Sequence, residues 1–253
     1  MSVHPTARGF ELAAEVYERA RPDYPDNALD FIVESLGLSS GDRVVDLGAG
    51  TGKFARQLVA HGLRVTAVEP VREMRAILEA VVPQATAVEG TAEAIPLEDE
   101  TADGVTAAQA FHWFERRRAL PEIYRVLRRG GGVALVWNIR DQSHDLHRAY
   151  AETIRPYRGG QYPEQQDTAG ALRDSSLFDR VEERTFRHVQ QMTADGLVER
   201  AASVSFIAQL PDDERGALLE RVRALAPEGS FDFPYLTKVF TARRRSLGHN
   251  RSA

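Results

Sequence analysis

From residue 25 to residue 138 the chain alternates short apolar runs with stretches whose apolar residues recur every three or four positions. That alternation predicts strands joined by amphipathic helices, as in a mostly parallel sheet covered on both faces. Ala28, Leu29, Ile32, Val33 and Leu36 share one helical face, with Pro25 suited to its start and Gly37 to its end. Arg43 to Leu47 reads as a buried strand. A glycine-rich turn follows, then a helix from Thr51 or Gly52 with Phe54, Ala55, Leu58 and Val59 on its inner stripe. Arg64 to Val68 predicts a second strand that leaves through Glu69 and Pro70 into a helix carrying Val71, Met74, Leu78 and Val81. Ala85 to Val88 and Thr101 to Ala107 predict the third and fourth strands. Leu120, Ile123, Tyr124 and Leu127 mark another helix, with Arg128 and Arg129 at the end that favours cations. Gly130-Gly131-Gly132 would break it, and the apolar run Val133 to Trp137 would form a fifth strand in mid-sheet.

The pattern changes after Asn138, where residues 144–230 become more polar and less regular. Leu146, Tyr150, Ile154 and Tyr157 fit one helix stripe, which Pro156 should end. Residues 158–167 read as a loop, and Phe178 to Val189 as a strand. Leu218, Leu219, Val222 and Leu225 form a late helix face. Phe231 to Thr241 would be the last strand, with Pro234 demanding an edge or a bulge. No linker or repeat divides the chain. The expected organisation is therefore a single domain over residues 1–253, with a core at 37–143, a lid with insertions at 144–230, and a last strand at 231–245.

Composition adds mainly exclusions. A net charge of -5 gives no general attraction to nucleic acid or an anionic membrane. Arg243-Arg244-Arg245 is a local basic run whose simplest reading is a solvated tail. The absence of cysteine rules out disulfides, thiolate metal sites and a cysteine nucleophile. No metal site is expected. The first twenty residues contain no apolar core of a secretory signal, and no apolar run is long enough to span a bilayer, so a cytoplasmic location is expected. Oligomeric state is left open.

The strongest local signal is Val44-Val45-Asp46-Leu47-Gly48-Ala49-Gly50-Thr51-Gly52, in which a buried strand runs into spaced glycines and then a helix. Glycine permits the tight turn and lets a ligand approach the backbone, while amides at the helix start can receive polar groups. Glu69, placed after the second strand, can accept two hydrogen bonds from a diol. His112 is a candidate general base at neutral pH, and Trp113 could wall a pocket; packing of both against the lid is the structural alternative.

The run 44–52 resembles the first motif of class I S-adenosylmethionine-dependent methyltransferases, in the type 11-like branch. The resemblance implies a Rossmann-like α/β sheet, mostly parallel with an antiparallel last strand, helices on both faces and a lid insertion. It also implies S-adenosyl-L-methionine as cofactor, leaving S-adenosyl-L-homocysteine as product. Asp46, Gly48, Ala49, Gly50 and Gly52 would meet the methionine and ribose portions, and Glu69 with Pro70 the ribose hydroxyls. Residues 89–103 resemble the adenine-side motif, where Thr91, Ala92 and Glu93 would stand; Thr91 replaces the Asp of many relatives. Residues 107–114 resemble the loop after the fourth strand, with Gln109 and Ala110 beside the methionyl portion. Phe10, Ala14, Tyr17, Arg21, Pro22, Tyr24 and Pro25 match an N-terminal pattern found among trans-aconitate methyltransferase-related enzymes. Residues 10–36 would then close over the cofactor, with Tyr17 and Arg21 one helical turn apart.

The implied reaction is in-line methyl transfer to a small-molecule acceptor, by alignment and exclusion of water. Two other functions fit parts of the pattern. An NAD-dependent oxidoreductase shares the glycine turn and the acidic residue after the next strand. A non-catalytic cofactor-binding or regulatory protein could use the same fold.

Overall fold

The computed structural model describes residues 21–158 and 169–246. The core begins with α1 (Asp26–Ser35), β1 (Arg43–Leu47), α2 (Lys53–Ala60), β2 (Arg64–Val68), α3 (Arg72–Val81) and β3 (Thr86–Val88). It continues with β4 (Ala102–Ala108), α4 (Arg116–Val126) and β5 (Leu127–Arg140). Then follow α5 (Asp145–Ile154), α6 (Gly170–Arg173), β6 (Glu182–Met192), α7 (Ala194–Ala202), α8 (Ser205–Ala208), α9 (Asp212–Arg223) and β7 (Phe231–Arg243). The strands form one sheet in the order β3-β2-β1-β4-β5-β7-β6. Strands β1 to β5 pair in parallel, and β7 runs antiparallel to both β5 and β6. The mostly parallel Rossmann-like sheet with an antiparallel last strand is therefore what the sequence predicted.

Alternation along the strands sorts side chains to two apolar layers. Val45, Leu47, Val105, Val133 and Leu135 pack on one face with Leu120, Ile123 and Val126 of α4. Val44, Val65, Ala134 and Val136 pack on the other with Leu29 and Ile32 of α1 and Phe54 and Leu58 of α2.

Three expectations need correction. The fifth strand begins at Leu127, not Val133, and contains the glycine triplet. A Cβ on Gly131 would stand 2.8 Å from the Asp103 carbonyl oxygen, and one on Gly132 would stand 2.7 Å from that of Ala242. Gly131 and Gly132 thus let β5 pass close to its neighbours, while Gly130, with φ of +78°, lies in the register shift between the Ala102↔Leu127 and Gly104↔Gly132 pairs, where the chain also turns after the helix. The strand predicted at 178–189 lies at Glu182–Met192; Phe178 is instead fully buried in the α4-side core. The arginine run is not a solvated tail. Arg243 Nη1 donates to the Gly130 carbonyl at 2.9 Å. Arg244 pairs with Glu100 at 2.8 Å and lies 4.3 Å from the Tyr124 ring centre.

Pro234 satisfies its constraint in an unexpected place. It lies in β7, a central strand, but β5 pairing stops at Arg140↔Tyr235, so Pro234 is matched on the β6 side through Val189. Beyond the end of β5, the β6–β7 ribbon carries a third apolar cluster. Tyr150, Ile154, Leu197, Ala201, Leu218 and Val222 pack there on Phe233 and Tyr235. This helical layer accounts for most of the irregular region, and α5 ends just before Pro156 as predicted. Most of the loop read at 158–167 lies outside the described residues, as do Phe10, Ala14 and Tyr17.

Candidate functional site

Strand β1 delivers Asp46 to its carboxyl end, and the turn 48–52 bends over it. Gly48, Gly50 and Gly52 have φ of +63°, +59° and +91°, a region costly to residues with a Cβ. Their surroundings separate their roles. A Cβ on Gly48 would meet the Ala110 Cβ at 2.7 Å, and one on Gly52 would meet Leu78 and Val82 at 2.9 Å. On Gly50 it would find nothing within 4 Å. Gly48 and Gly52 therefore allow close packing, whereas Gly50 borders open space.

Glu69, 5% exposed, braces this turn from the end of β2. Its Oε2 accepts from the Gly50 amide at 2.8 Å and its Oε1 from the Val71 amide at 2.9 Å. Burial pushes its carboxyl above the ordinary range, while the two amides and Arg75 pull in the opposite direction. Asp46 is 1% exposed. Thr106 Oγ1 donates to its Oδ1 at 2.7 Å, but its Oδ2 has no hydrogen-bond partner among the described residues. Burial pushes the Asp46 carboxyl up to about 7; the Thr106 bond opposes that shift and the Glu69 charge adds to it.

Gln109 follows β4 with φ of +57°, an uncommon conformation for a non-glycine residue. Its amide donates to the Val136 carbonyl at 2.8 Å, and its Nε2 to the Asn138 carbonyl at 2.9 Å. Asn138 Nδ2 donates to the Asp23 carbonyl at 3.0 Å, and its Oδ1 accepts from Thr237 Oγ1 at 2.5 Å. It therefore joins β5, β7 and the segment 21–25.

That segment crosses above the glycine turn. The Tyr24 backbone exchanges two hydrogen bonds with the Gln57 side chain, at 3.0 and 2.6 Å, and the Tyr24 ring lies 4.9 Å from that of Phe54. Lys53 and Arg56 each reach Asp23 at 3.2 Å. Arg21 Nη2 donates to the Ser203 carbonyl at 3.0 Å, which attaches the segment to the helical layer.

These elements enclose a cleft of about 540 Å³, part of it open to solvent. Arg21, Asp46, Gly48, Ala49, Gly50 and Gln109 line it, all residues singled out from the sequence. Gly52 supports the turn from behind, and Ala110, 5% exposed, packs beneath it. Glu69 reaches the cleft through Gly50, and Pro70 continues from it. Thr91 and Ala94 form an isolated bridge at the exit of β3, and Ala92 is buried in the core. Glu93 accepts from the Glu115 amide at 2.8 Å, fixing the start of α4. His112 is exposed on a 3₁₀ turn, its ring 4.5 Å from Trp113, and is not among the cleft-lining residues.

Lys53, Asn138, Arg200 and Tyr235 also line the cleft and were not proposed from the sequence. Asn138 carried one usable signal, a polar residue directly after a continuous apolar strand. Arg200 carried none, since nothing local distinguishes it from a surface arginine.

A sheet of this order, with a glycine turn after β1 and an acidic residue after β2, defines the class I S-adenosylmethionine-dependent methyltransferase fold. The chain belongs to that family. A family model described as a methyltransferase domain matches residues 45–135. An uncharacterised methyltransferase of Mycobacterium tuberculosis is 39% identical over 235 residues, covering 90% of this chain and 92% of the relative. Another, from Schizosaccharomyces pombe, is 31% identical, covering 94% and 97%. Among solved structures, phosphoethanolamine N-methyltransferase 2 of Haemonchus contortus, in complex with phosphomonomethylethanolamine and S-adenosylhomocysteine, aligns with a TM-score of 0.59. It is 17% identical, over 97% of this chain and 61% of that one. The chain is thus a methyltransferase enzyme, and the oxidoreductase alternative is not favoured. No helix among the described residues is long and apolar enough to cross a membrane.

Proposed function

We propose that the cleft holds S-adenosylmethionine against the glycine turn and that the enzyme methylates a small molecule entering beneath the helical layer. One observation carries this reading: Gly50 opens onto the cleft while its amide is fixed by Glu69, beside the unpartnered Oδ2 of Asp46. A cofactor with a ribose diol and an ammonium group fits that donor set. Asp46 Oδ2 would receive the ammonium, and the remaining lone pairs of Glu69 would accept the ribose hydroxyls. Arg21 and Gln109 would border the methionyl portion, and Thr91, Ala92 and Glu93 the adenine.

When bound, the cofactor supplies an electrophilic methyl carbon, to which an acceptor lone pair bonds as the carbon–sulfur pair returns to sulfur. The protein aligns the acceptor and keeps water out, with the segment 21–25 as cover. An acceptor that is already ionised needs no base. His112 was the base offered by the sequence; its exposed ring favours a support role beside Trp113. The helices of 144–230 would set acceptor choice.

Calorimetry should give saturable S-adenosylhomocysteine binding and none with NAD. The reverse result would overturn the cofactor assignment. His112→Ala is expected to retain kcat to within about tenfold, below the usual loss on removing a general base. A drop of about a thousandfold, with cofactor affinity intact, would restore His112 to the chemistry.

A further inference from the structure

Tyr235 forms the floor where the cleft meets the helical layer. It lines the cleft although it is 1% exposed, and its ring is held by side chains of β6, β7 and α5. Between ring centres, Phe233 of β7 lies 5.5 Å away, His188 of β6 5.6 Å and His147 of α5 5.8 Å. Arg200 of α7, which also lines the cleft, donates from Nε to the Tyr235 hydroxyl oxygen at 3.3 Å. Because both partners of this bond line the cleft, the hydroxyl stands at its wall. One lone pair of the oxygen is thus engaged, whereas the O–H hydrogen has no acceptor among the described residues.

A second donor lies beside it. The register matches Asn138 of β5 with Thr237 of β7, two positions from Tyr235, so Asn138 and Tyr235 are diagonal neighbours on one face of the sheet. Asn138 lines the cleft as well. Of its two amide hydrogens one goes to the Asp23 carbonyl, and its Oδ1 accepts from Thr237. The other hydrogen has no acceptor among the described residues. A ring in this floor packs equally well without a hydroxyl, as Phe233 does. A buried hydroxyl whose hydrogen is unmatched lowers stability, a cost that a lone pair of a bound ligand would offset.

We propose that Tyr235 selects the methyl acceptor: its hydroxyl, with the remaining Asn138 amide hydrogen beside it, donates to a carbonyl-type oxygen that the acceptor carries. Two donors match the two lone pairs of such an oxygen. The Arg200 bond orients the hydroxyl and, by drawing electron density from its oxygen, strengthens it as a donor. The inference rests on the reading of the glycine turn as the donor site, which leaves the Tyr235 end of the cleft to the acceptor.

The test uses the full chain saturated with S-adenosylhomocysteine and two probes of one shape, acetophenone and α-methylstyrene, the second carrying CH2 in place of the carbonyl oxygen. In a ligand-observed NMR titration acetophenone should bind at least about fivefold more tightly. Tyr235→Phe should bring that ratio down to about twofold or below, leaving the affinities for α-methylstyrene and S-adenosylhomocysteine within about threefold. Acetophenone that binds no more tightly than α-methylstyrene overturns the proposal, undetectable binding of both included. So does a preference that survives Tyr235→Phe, whatever happens to Tm; the hydroxyl is then only a clasp for α7. A larger loss of S-adenosylhomocysteine affinity in the variant also overturns it, by giving the hydroxyl to the cofactor. The comparison of the two probes uses the wild-type protein, so it stands even if the variant fails to fold. Should S-adenosylhomocysteine not bind the wild-type protein, the donor reading fails; the same probe pair on the ligand-free protein then tests Tyr235 alone.

Discussion

Asp46→Asn is expected to make the ligand-free protein more stable at pH 8.5 while weakening S-adenosylhomocysteine binding. Both effects come from one buried carboxyl, pushed from an ordinary 3.8 up to about 7. A folded pKa above the unfolded one means that the native state keeps a proton the unfolded chain has released. That contribution to stability is fully present below about pH 4 and is lost as pH rises through about 7. Three units at ~1.4 kcal/mol each put the penalty on the order of 2–4 kcal/mol above that range. Asn can still accept the Thr106 hydrogen bond but carries no charge. Denaturant melts at pH 5 and 8.5 should therefore show the variant's advantage growing with pH. An advantage equal at both pH values would contradict the buried-charge account. Binding should move the other way, because the ionised Oδ2 would meet the cofactor ammonium. A loss of about 1.5–3 kcal/mol, roughly 10- to 150-fold, is expected in the variant. Wild-type affinity should also fall below pH 7, as Asp46 takes up its proton.

Glu69→Ala should weaken S-adenosylhomocysteine binding by about 1–3 kcal/mol, the scale for losing a charged hydrogen-bond partner. It should also lower Tm by several degrees, because the Gly50 and Val71 amides lose their acceptor. Glu69→Gln separates the two effects. Its amide oxygen can serve one backbone donor, so Tm should recover more than ligand affinity. A folded Glu69→Ala protein with unchanged affinity would remove the ribose hydroxyls from this residue and leave it a brace for the turn.

The glycine-turn half of the molecule was legible because its signals are local. A buried strand, a glycine turn and an acidic strand exit follow within residues 43–69, and each has one dominant physical reading. The far end of the cleft was not, because its residues meet only in the folded sheet and the helical layer on it. Asn138, Arg200 and Tyr235, which line it, stand far apart in sequence and carry no shared motif. The glycine triplet at 130–132 misled for a related reason. Glycine ends helices and also lets strands crowd together; only the neighbouring Asp103 and Ala242 carbonyls decide between those uses. The arginines at 243–245 looked solvated because their partners, Gly130, Glu100 and Tyr124, lie more than a hundred positions earlier. Tyr150 was read as part of a helix stripe, and it is fully buried; its unsatisfied hydroxyl could be seen only in three dimensions.

The place of β7 between β5 and β6 sets an order of events as the chain leaves the ribosome. Strands β1 to β5 can zip in parallel as they emerge, each beside one already made. β6 cannot join them, since its sheet partner is β7, on the far side of residues 193–230. Until that strand arrives, β5 and β6 both present open hydrogen-bonding edges, the kind that pairs with other chains. The helices α5, α7 and α9 also lack their floor, because Phe233 and Tyr235 belong to the same late strand. A nascent chain halted at residue 230 should therefore hold a formed β1–β5 half and a sticky, unformed helical layer. Synthesis of the next thirteen residues closes both edges at once.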